Sequence, residues 1–523
     1  MKRFGEIFLF GAVIMITVAS CEKPGIITDN YCGESPEEET FNSTTISVRP
    51  ANSVVAPCRV LLTSGERYKA ETLCISSSGL METETVFLDV DADLTEQYSV
   101  KTGIDFKPLP RSFYEIENDG IIELADNNPV YSIIKIYETN LVGNTLDPGR
   151  YLLPIVPRAK NNKVMNSTIY FDVIIREPFR GDATLYQGED AFFVFYVNTA
   201  NYDPRIVTDY YMSKYNMFEG MKMEYAAQIG HIINLKTSTI GYDPASERAL
   251  FTLSSDLRYV LDNYDKYLLP IAETGRKICL SIEGGNTGTG FCNLSDTQID
   301  DFASQVKRVV DYYNLDGINL WDKNSGYELD GAPQINTTSY PKLIRSLREF
   351  LGPDKLLTLT DYESPTEYFW DLDATGGISV GNFLDYAWSG YNNNKDGYQV
   401  VDPYNQGANG VSTLHARRPI AGLDSSKYGC INEAYVSSQT TDFAVILQSQ
   451  GNLIDWAKNL RHNNIIVSDD IRTNLQDNLE GVYTGEIIRF LMLDSVFLGG
   501  RFDYAIDHSR LSLMGFNKWV KDW

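Results

Sequence analysis

The chain has 523 residues, 43% of them hydrophobic and 12% aromatic, with a formal net charge of −25. That length suits two or three domains, and the apolar content supports large cores and argues against disorder. The charge argues against nucleic acid as a partner, since phosphate binding needs clustered Lys and Arg; an acidic surface and 33 tyrosines are compatible with neutral glycans.

Met1-Lys2-Arg3 is a short basic start, residues 7–18 are an apolar run, and Val18-Ala19-Ser20-Cys21 follows. The run is too short to span a bilayer and reads as a signal peptide. Its ending resembles a bacterial lipobox, which predicts processing over residues 1–21 and lipidation of Cys21. Acyl chains there would anchor the protein to the outer membrane, each buried CH₂ contributing about 0.8 kcal/mol. Residues 22–45 are polar and read as a tether. Cys32, Cys58, Cys74, Cys279, Cys292 and Cys430 remain, with no C-x-x-C pair and only 4 histidines, so neither a metal site nor a cofactor is expected.

Residues 46–179 carry short alternating runs at 85–90, 121–124, 130–137, 151–156 and 168–175, separated by turn signals and with no helical pattern. That spacing predicts an antiparallel β-sandwich. The phrases Leu109-Pro110-Arg111-Ser112-Phe113-Tyr114 and Gly149-Arg150-Tyr151-Leu152-Leu153-Pro154 resemble a sandwich domain that precedes sugar-processing barrels in surface lipoproteins.

After a linker at 176–190 the pattern becomes strands alternating with helix-length segments. Strands are predicted at 192–197, 229–235, 277–282, 317–321, 356–360, 383–387, 419–422 and 465–467. Segments 257–274, 297–313 and 340–351 have helical apolar spacing, and Gly352-Pro353 stops the last of them. Eight strand–helix repeats predict an α/β (β/α)₈ TIM barrel over residues 190–500, with its site at the C-terminal strand ends. Residues 485–498 read as the closing helix, and 501–523 as an extension packed on the barrel.

The fourth predicted strand, Asp316-Gly317-Ile318-Asn319-Leu320-Trp321-Asp322-Lys323, resembles the signature of glycoside hydrolase family 18, D-G-x-D-x-D-x-E. Leu280-Ser281-Ile282-Glu283-Gly284-Gly285-Asn286 and Thr287-Gly288-Thr289-Gly290-Phe291 are similar to the third-strand motif of its endo-β-N-acetylglucosaminidase branch. The glycines of that motif are expected to let a sugar approach the strand end. Residues 384–391 resemble the sixth strand, which implies a substrate-facing role for Tyr391. The family's aromatic residue at the end of the last strand is missing, since Ile465-Ile466-Val467-Ser468-Asp469 offers none.

Strand side chains alternate, so positions 319, 321 and 323 share the cleft face. The resemblance implies Asp, Asp and a general-acid Glu there; this chain has Asn319, Trp321 and Lys323. Losing general acid catalysis typically costs ~10²–10⁴-fold. A lysine, with an ordinary pKa near ~10.4, is a poor proton donor at neutral pH, and its charge opposes an oxocarbenium-like transition state. The replaced residues therefore predict a non-hydrolytic, surface glycan-binding lipoprotein, and the resemblance implies N-acetylglucosamine-containing glycans, such as N-glycans, as its ligands. Trp321 would supply a sugar-stacking face, joined by Asn319, Lys323, Glu283, Asn286, Asp361, Tyr362, Glu363, Trp388 and Tyr391. Outer-membrane transport proteins of the starch-utilisation type are the expected partners. Two readings stay open beside this one: hydrolysis through relocated carboxylates (Glu283, Asp361 or Glu363), and a filled barrel mouth in which Lys323 pairs with Glu283 or Asp361 and no ligand enters.

Overall fold

The computed structural model describes residues 44–51, 58–63, 68–165, 168–176, 192–209, 211–216, 222–228, 230–392, 399–433, 451–469 except 454, 458 and 464, 504–506 and 521–523. The signal peptide, Cys21, Cys32, all but the last two residues of the tether, most of the 176–190 linker and the predicted helix at 485–498 lie outside these residues.

The first domain is two packed sheets. One is ordered 163–164, 45–50, 68–78, 130–137, 114–116; the other 58–63, 169–176, 149–159, 84–90, 121–124. Most pairings are antiparallel. Ile46, Val48, Leu73, Ile75, Val86, Ile134, Leu153 and Phe171 fill the space between the sheets. Alternation gives each strand one apolar face, and facing two such surfaces buries both. One element departs from the expected all-strand reading: Leu94–Thr102 is an α-helix. Its apolar residues have no helical stripe, since Tyr98 and Thr95 alone are buried, so periodicity gave no signal.

The second domain is a parallel barrel. Its strands in chain order are Phe192–Asn198, Ile232–Asp243, Lys277–Gly284, Gly317–Leu320, Leu356–Asp361, Tyr386–Ser389, a split seventh strand (Tyr428–Gly429 and Ile431–Glu433), and Ile465–Ser468. The eighth strand pairs with the first through Phe192–Ile465 and Val194–Val467, which closes the barrel. The predicted strand at 419–422 is corrected: those residues are irregular, and the seventh strand lies at 428–433. The two halves meet different neighbours, Tyr428–Gly429 the sixth strand and Ile431–Glu433 the eighth. Runs of two and three residues are too short to show a period.

The eight strand–helix repeats are also corrected. Regular helices follow the second strand as three short pieces (Ser255–Asp262, Tyr264–Tyr267, Leu269–Ala272), then the third (Asp296–Tyr312) and the fourth (Ser339–Leu351). Among the described residues, the segments after the fifth and sixth strands run as turns and short 3-10 helices. Ser295 begins the longest helix with a capping box to Gln298, and Gly352, at φ 78°, ends the helix after it. At the C-terminus, Trp523 stacks on Tyr259 and Lys521 pairs with Asp256, both of the first barrel helix.

The sandwich meets the barrel through buried charge. Arg176, the last residue of the sandwich, donates two hydrogen bonds to Asp316 at 3.0 and 3.1 Å. Arg59 reaches Asp265 at 2.5 Å and lies over the Tyr264 ring, and Arg150, bidentate to Asp172 within the sandwich, reaches the same Asp265 at 3.4 Å.

Candidate functional site: the barrel mouth

The fourth strand joins the two ends of the barrel. At its start, Asp316 accepts from Arg176 and from the backbone N–H of Ile278, with Lys277 3.7 Å away. Burial alone would raise this carboxyl, but Arg176 and Lys277 outweigh it and hold it well below the ordinary carboxylate range. Gly317 sits so close to the fifth strand that a Cβ would lie 2.1 Å from the Leu356 carbonyl oxygen. The retained Asp-Gly pair is therefore structural: it ties the sandwich, the third strand and the fifth strand together.

The interior of the barrel is polar and closed. Tyr196 donates to Asn319 Oδ1 at 2.9 Å and packs beside Thr360, while Asn319 Nδ2 donates to Thr358 at 3.1 Å. Trp388 Nε1 donates to the Tyr196 hydroxyl at 2.9 Å, and the Trp388 side chain is fully buried. Asn319 and Trp388 are thus core residues with satisfied partners, and the expectation that they face a ligand is corrected.

Trp321 is 3% exposed, with Tyr196 against it edge-on at 5.5 Å and Tyr362 at 6.2 Å. The Lys323 ammonium lies 3.5 Å from its ring centroid, and Lys236 is at 5.2 Å. A cation over an indole face is worth about 0.5–2 kcal/mol. It also occupies the surface on which a sugar would stack, so that expected role for Trp321 is corrected. Lys323 pairs with Glu283 at 3.3 Å, which is the contact the filled-mouth reading required. Burial, then the neighbouring Lys236 ammonium, lowers the Lys323 pKa; Glu283 and Asp469 partly oppose this. The second strand slips register against the third between Leu235 and Ser238, and Lys236 lies within that slip, donating to the Asp469 carbonyl at 2.8 Å.

The remaining predicted residues divide cleanly. Asp361 is buried and held by Arg417, by Thr366 at 2.6 Å and by the Tyr428 hydroxyl at 2.8 Å. Its carboxylate is saturated, which corrects its assignment to a ligand surface. Asp322 points away from the mouth and accepts from Ser325 and from Tyr327 at 2.5 Å; burial raises its pKa. Asn286 is exposed at φ 54°, on a turn whose backbone N–H bonds the Asn324 carbonyl. The third-strand glycines serve protein packing: a Cβ on Gly284 or Gly290 would lie 2.4 or 2.3 Å from Ser325. The sugar-approach expectation for them is corrected accordingly.

What stays accessible is a rim on the loops after the fifth and sixth strands. Tyr362 and Tyr391 are half-buried with ring centroids 5.0 Å apart, and the Tyr391 hydroxyl accepts from the N–H of exposed Glu363 at 2.8 Å. His415 stacks on Tyr391 at 4.0 Å and 15°, and Arg418 covers Trp370, which is 41% exposed. His415, Arg418, Trp370, Lys236 and Asp469 were not singled out from the sequence. They lie far apart along the chain, and only the loop at 415–418 brings its two contributions beside Tyr391 and Trp370.

The fold also gathers Asp402, Cys430 and His462, with His462 Nε2 3.2 Å from Asp402 and 3.6 Å from Cys430 Sγ. Asn463 Nδ2 lies 3.1 Å from His462 Nδ1, and its amide is oriented by Ile465 N–H. The same amide donates to the Ser425 and Tyr428 carbonyls at 2.8 and 2.6 Å, and the group is a hydrogen-bonded wall of the barrel.

With the geometry in place, comparison with known proteins is direct. Residues 42–163 match a family model described as "-like, N-terminal domain". Over 167 residues the chain is 30% identical to endo-β-N-acetylglucosaminidase F1 of Elizabethkingia meningoseptica, covering 32% of this chain and 48% of that protein. Over 145 residues it is 33% identical to an endo-β-N-acetylglucosaminidase of Flavobacterium sp. (strain SK1022), covering 28% and 45%. Over about a third of its length the chain is therefore similar to endo-β-N-acetylglucosaminidases. It spans about half the length of these curated relatives. A solved structure of Bacteroides thetaiotamicron EndoBT-3987 with a Man5GlcNAc product aligns with 88% of this chain and 95% of that one, at 17% identity and TM-score 0.43.

Proposed function

We propose that this protein is a surface lipoprotein that binds glycans through an endo-β-N-acetylglucosaminidase-like barrel without hydrolysing them. One observation carries the reading. The place where the resemblance implies a general acid holds an ammonium, ion-paired with Glu283 and seated on Trp321. Protonating a glycosidic oxygen from that position would need a donor of much lower pKa. The other two cleft positions are neutral and buried, so neither can orient a substrate acetamido group as a carboxylate would.

The relatives' names point to N-acetylglucosamine-containing glycans as the ligand class, such as N-glycans. Contact is assigned to the rim, where Tyr362, Tyr391, Trp370 and His415 offer apolar ring surface and Glu363 and Arg418 offer hydrogen bonds. The lipobox at Cys21 supports a membrane anchor, and with it delivery of glycan to outer-membrane transport proteins. The filled mouth counts against relocated hydrolysis through Asp361, locked by Arg417, and through Glu283, paired with Lys323; of the three carboxylates Glu363 alone stays on the exposed rim. A glycan array comparing the full-length protein with Tyr391→Ala tests the reading: N-glycan signal that falls in the variant supports it, and equal signals refute the rim.

A further inference from the structure

A cavity lies at the end of the barrel opposite the mouth, between the barrel's N-terminal face and the sandwich. Its volume is about 1030 Å³, at the upper end of the ~300–1,000 Å³ typical of small-molecule sites. The sandwich wall presents Tyr68 and Glu71, from the strand Tyr68–Ser78. The barrel wall presents Tyr312, Asn314 and Lys355, where helices Asp296–Tyr312 and Ser339–Leu351 end. Tyr68 and Tyr312 are each 43% exposed.

The charges decide what kind of ligand would fit. Five cationic and five acidic side chains line the cavity, so neither a phosphate nor a cation is favoured by net charge. Most are already paired with one another or with neighbours, such as Arg59 with Asp265, Lys307 with Asp311 and Lys266 with Asp522. Helix C-termini on the barrel wall present carbonyl oxygens and the negative end of the helix dipole, which further disfavours anions. Among the acids, Glu71 and Asp354 make no side-chain hydrogen bond or ion pair with any described residue, and burial raises Glu71 to about 7. Lys355 is spent on the Leu315 carbonyl at 2.6 Å. An unsatisfied carboxyl, helix-end carbonyls and two exposed tyrosine rings suit many hydroxyl donors with apolar C–H faces between them.

We infer that this cavity is a second saccharide-binding site, with Tyr68 and Tyr312 as its stacking surfaces and Glu71 as its acceptor. The inference rests on the proposed function only for the choice of a neutral oligosaccharide; the site itself is separate from the mouth. The test is a ligand-observed NMR titration of the full-length protein with millimolar Man5GlcNAc, beside Tyr68→Ala/Tyr312→Ala, Glu71→Gln and Tyr391→Ala. Two classes of site are expected in the wild type. The double tyrosine variant should lose one class, Glu71→Gln should weaken that same class at least tenfold, and Tyr391→Ala should lose the other. If the double variant is poorly folded, Glu71→Gln alone decides. A wild type with one class that disappears in Tyr391→Ala overturns the cavity and leaves the rim standing. One class that disappears only in the cavity variants overturns the rim and leaves the cavity. Absence of binding in the wild type overturns the cavity as a saccharide site.

Discussion

The two ends of the fourth barrel strand kept different things. At its start, Asp316 and Gly317 are held by four neighbours at once: Arg176 of the sandwich, the backbone of Ile278, Lys277, and the Leu356 backbone against which only a glycine fits. At its end, five residues on, every carboxylate implied by the family resemblance has been replaced, and the space has been refilled by Asn319, Trp321 and Lys323 as a packed plug. Only Ile318 separates the scaffold pair from the first residue of the plug. A change at the first end breaks the junction of two domains, whereas a change at the second alters only what the mouth can do.

The sharpest way to break that comparison is by stability. Removing one partner of a buried ion pair costs about 3–5 kcal/mol, so Asp316→Ala should lower unfolding free energy by that much in a urea titration. Arg176→Ala should match it, and the double variant should cost far less than the sum. The Lys323–Glu283 pair is more exposed on its lysine side, and Lys323→Ala should cost less than Asp316→Ala in the same titration. Equal losses at both ends would contradict the division.

Binding should divide the same way. Tyr391→Ala should weaken N-glycan binding roughly tenfold, about 1.4 kcal/mol. Trp321→Phe should leave affinity unchanged, because the ring face is already covered. Calorimetry of the two variants distinguishes rim from plug, and a loss of affinity in Trp321→Phe would place the sugar on the barrel floor instead.

The scaffold end also carries a pH dependence. Glu71 has its carboxyl raised from an ordinary 4.5 to about 7, so the folded state binds that proton more tightly than the unfolded chain. Its contribution is fully present below pH 4.5 and is lost as pH rises towards 7. Glu71→Gln should therefore raise Tm relative to wild type at pH 8 and have little effect at pH 4. The smallest expected effect is spectroscopic: Lys323→Ala uncovers the Trp321 ring, and acrylamide quenching of tryptophan fluorescence should increase.

The barrel was legible because its strands are mostly continuous apolar runs, and seven of the eight overlap the segments where the pattern placed them. The seventh escaped because Tyr428–Gly429 and Ile431–Glu433 are each shorter than any readable period, and Leu94–Thr102 escaped because its burial has no stripe. Alternation put Asn319, Trp321 and Lys323 on the interior side, but parity says nothing about depth. Whether an inward residue lines a cleft or fills it depends on partners from other strands: Tyr196 for Asn319, Lys323 for Trp321, Arg417 for Asp361. The His415–Tyr391 stack and the cavity under the sandwich join segments 24 and more than 200 residues apart, and no local pattern announces either.

The most direct measurement combines binding and chemistry in one sample. The full-length protein is titrated calorimetrically with Man9GlcNAc2Asn, and the recovered mixture is read by mass spectrometry. The account predicts saturable heat and an intact glycan after prolonged incubation. Recovery of Man9GlcNAc, released by cleavage between the two N-acetylglucosamine residues, would contradict it.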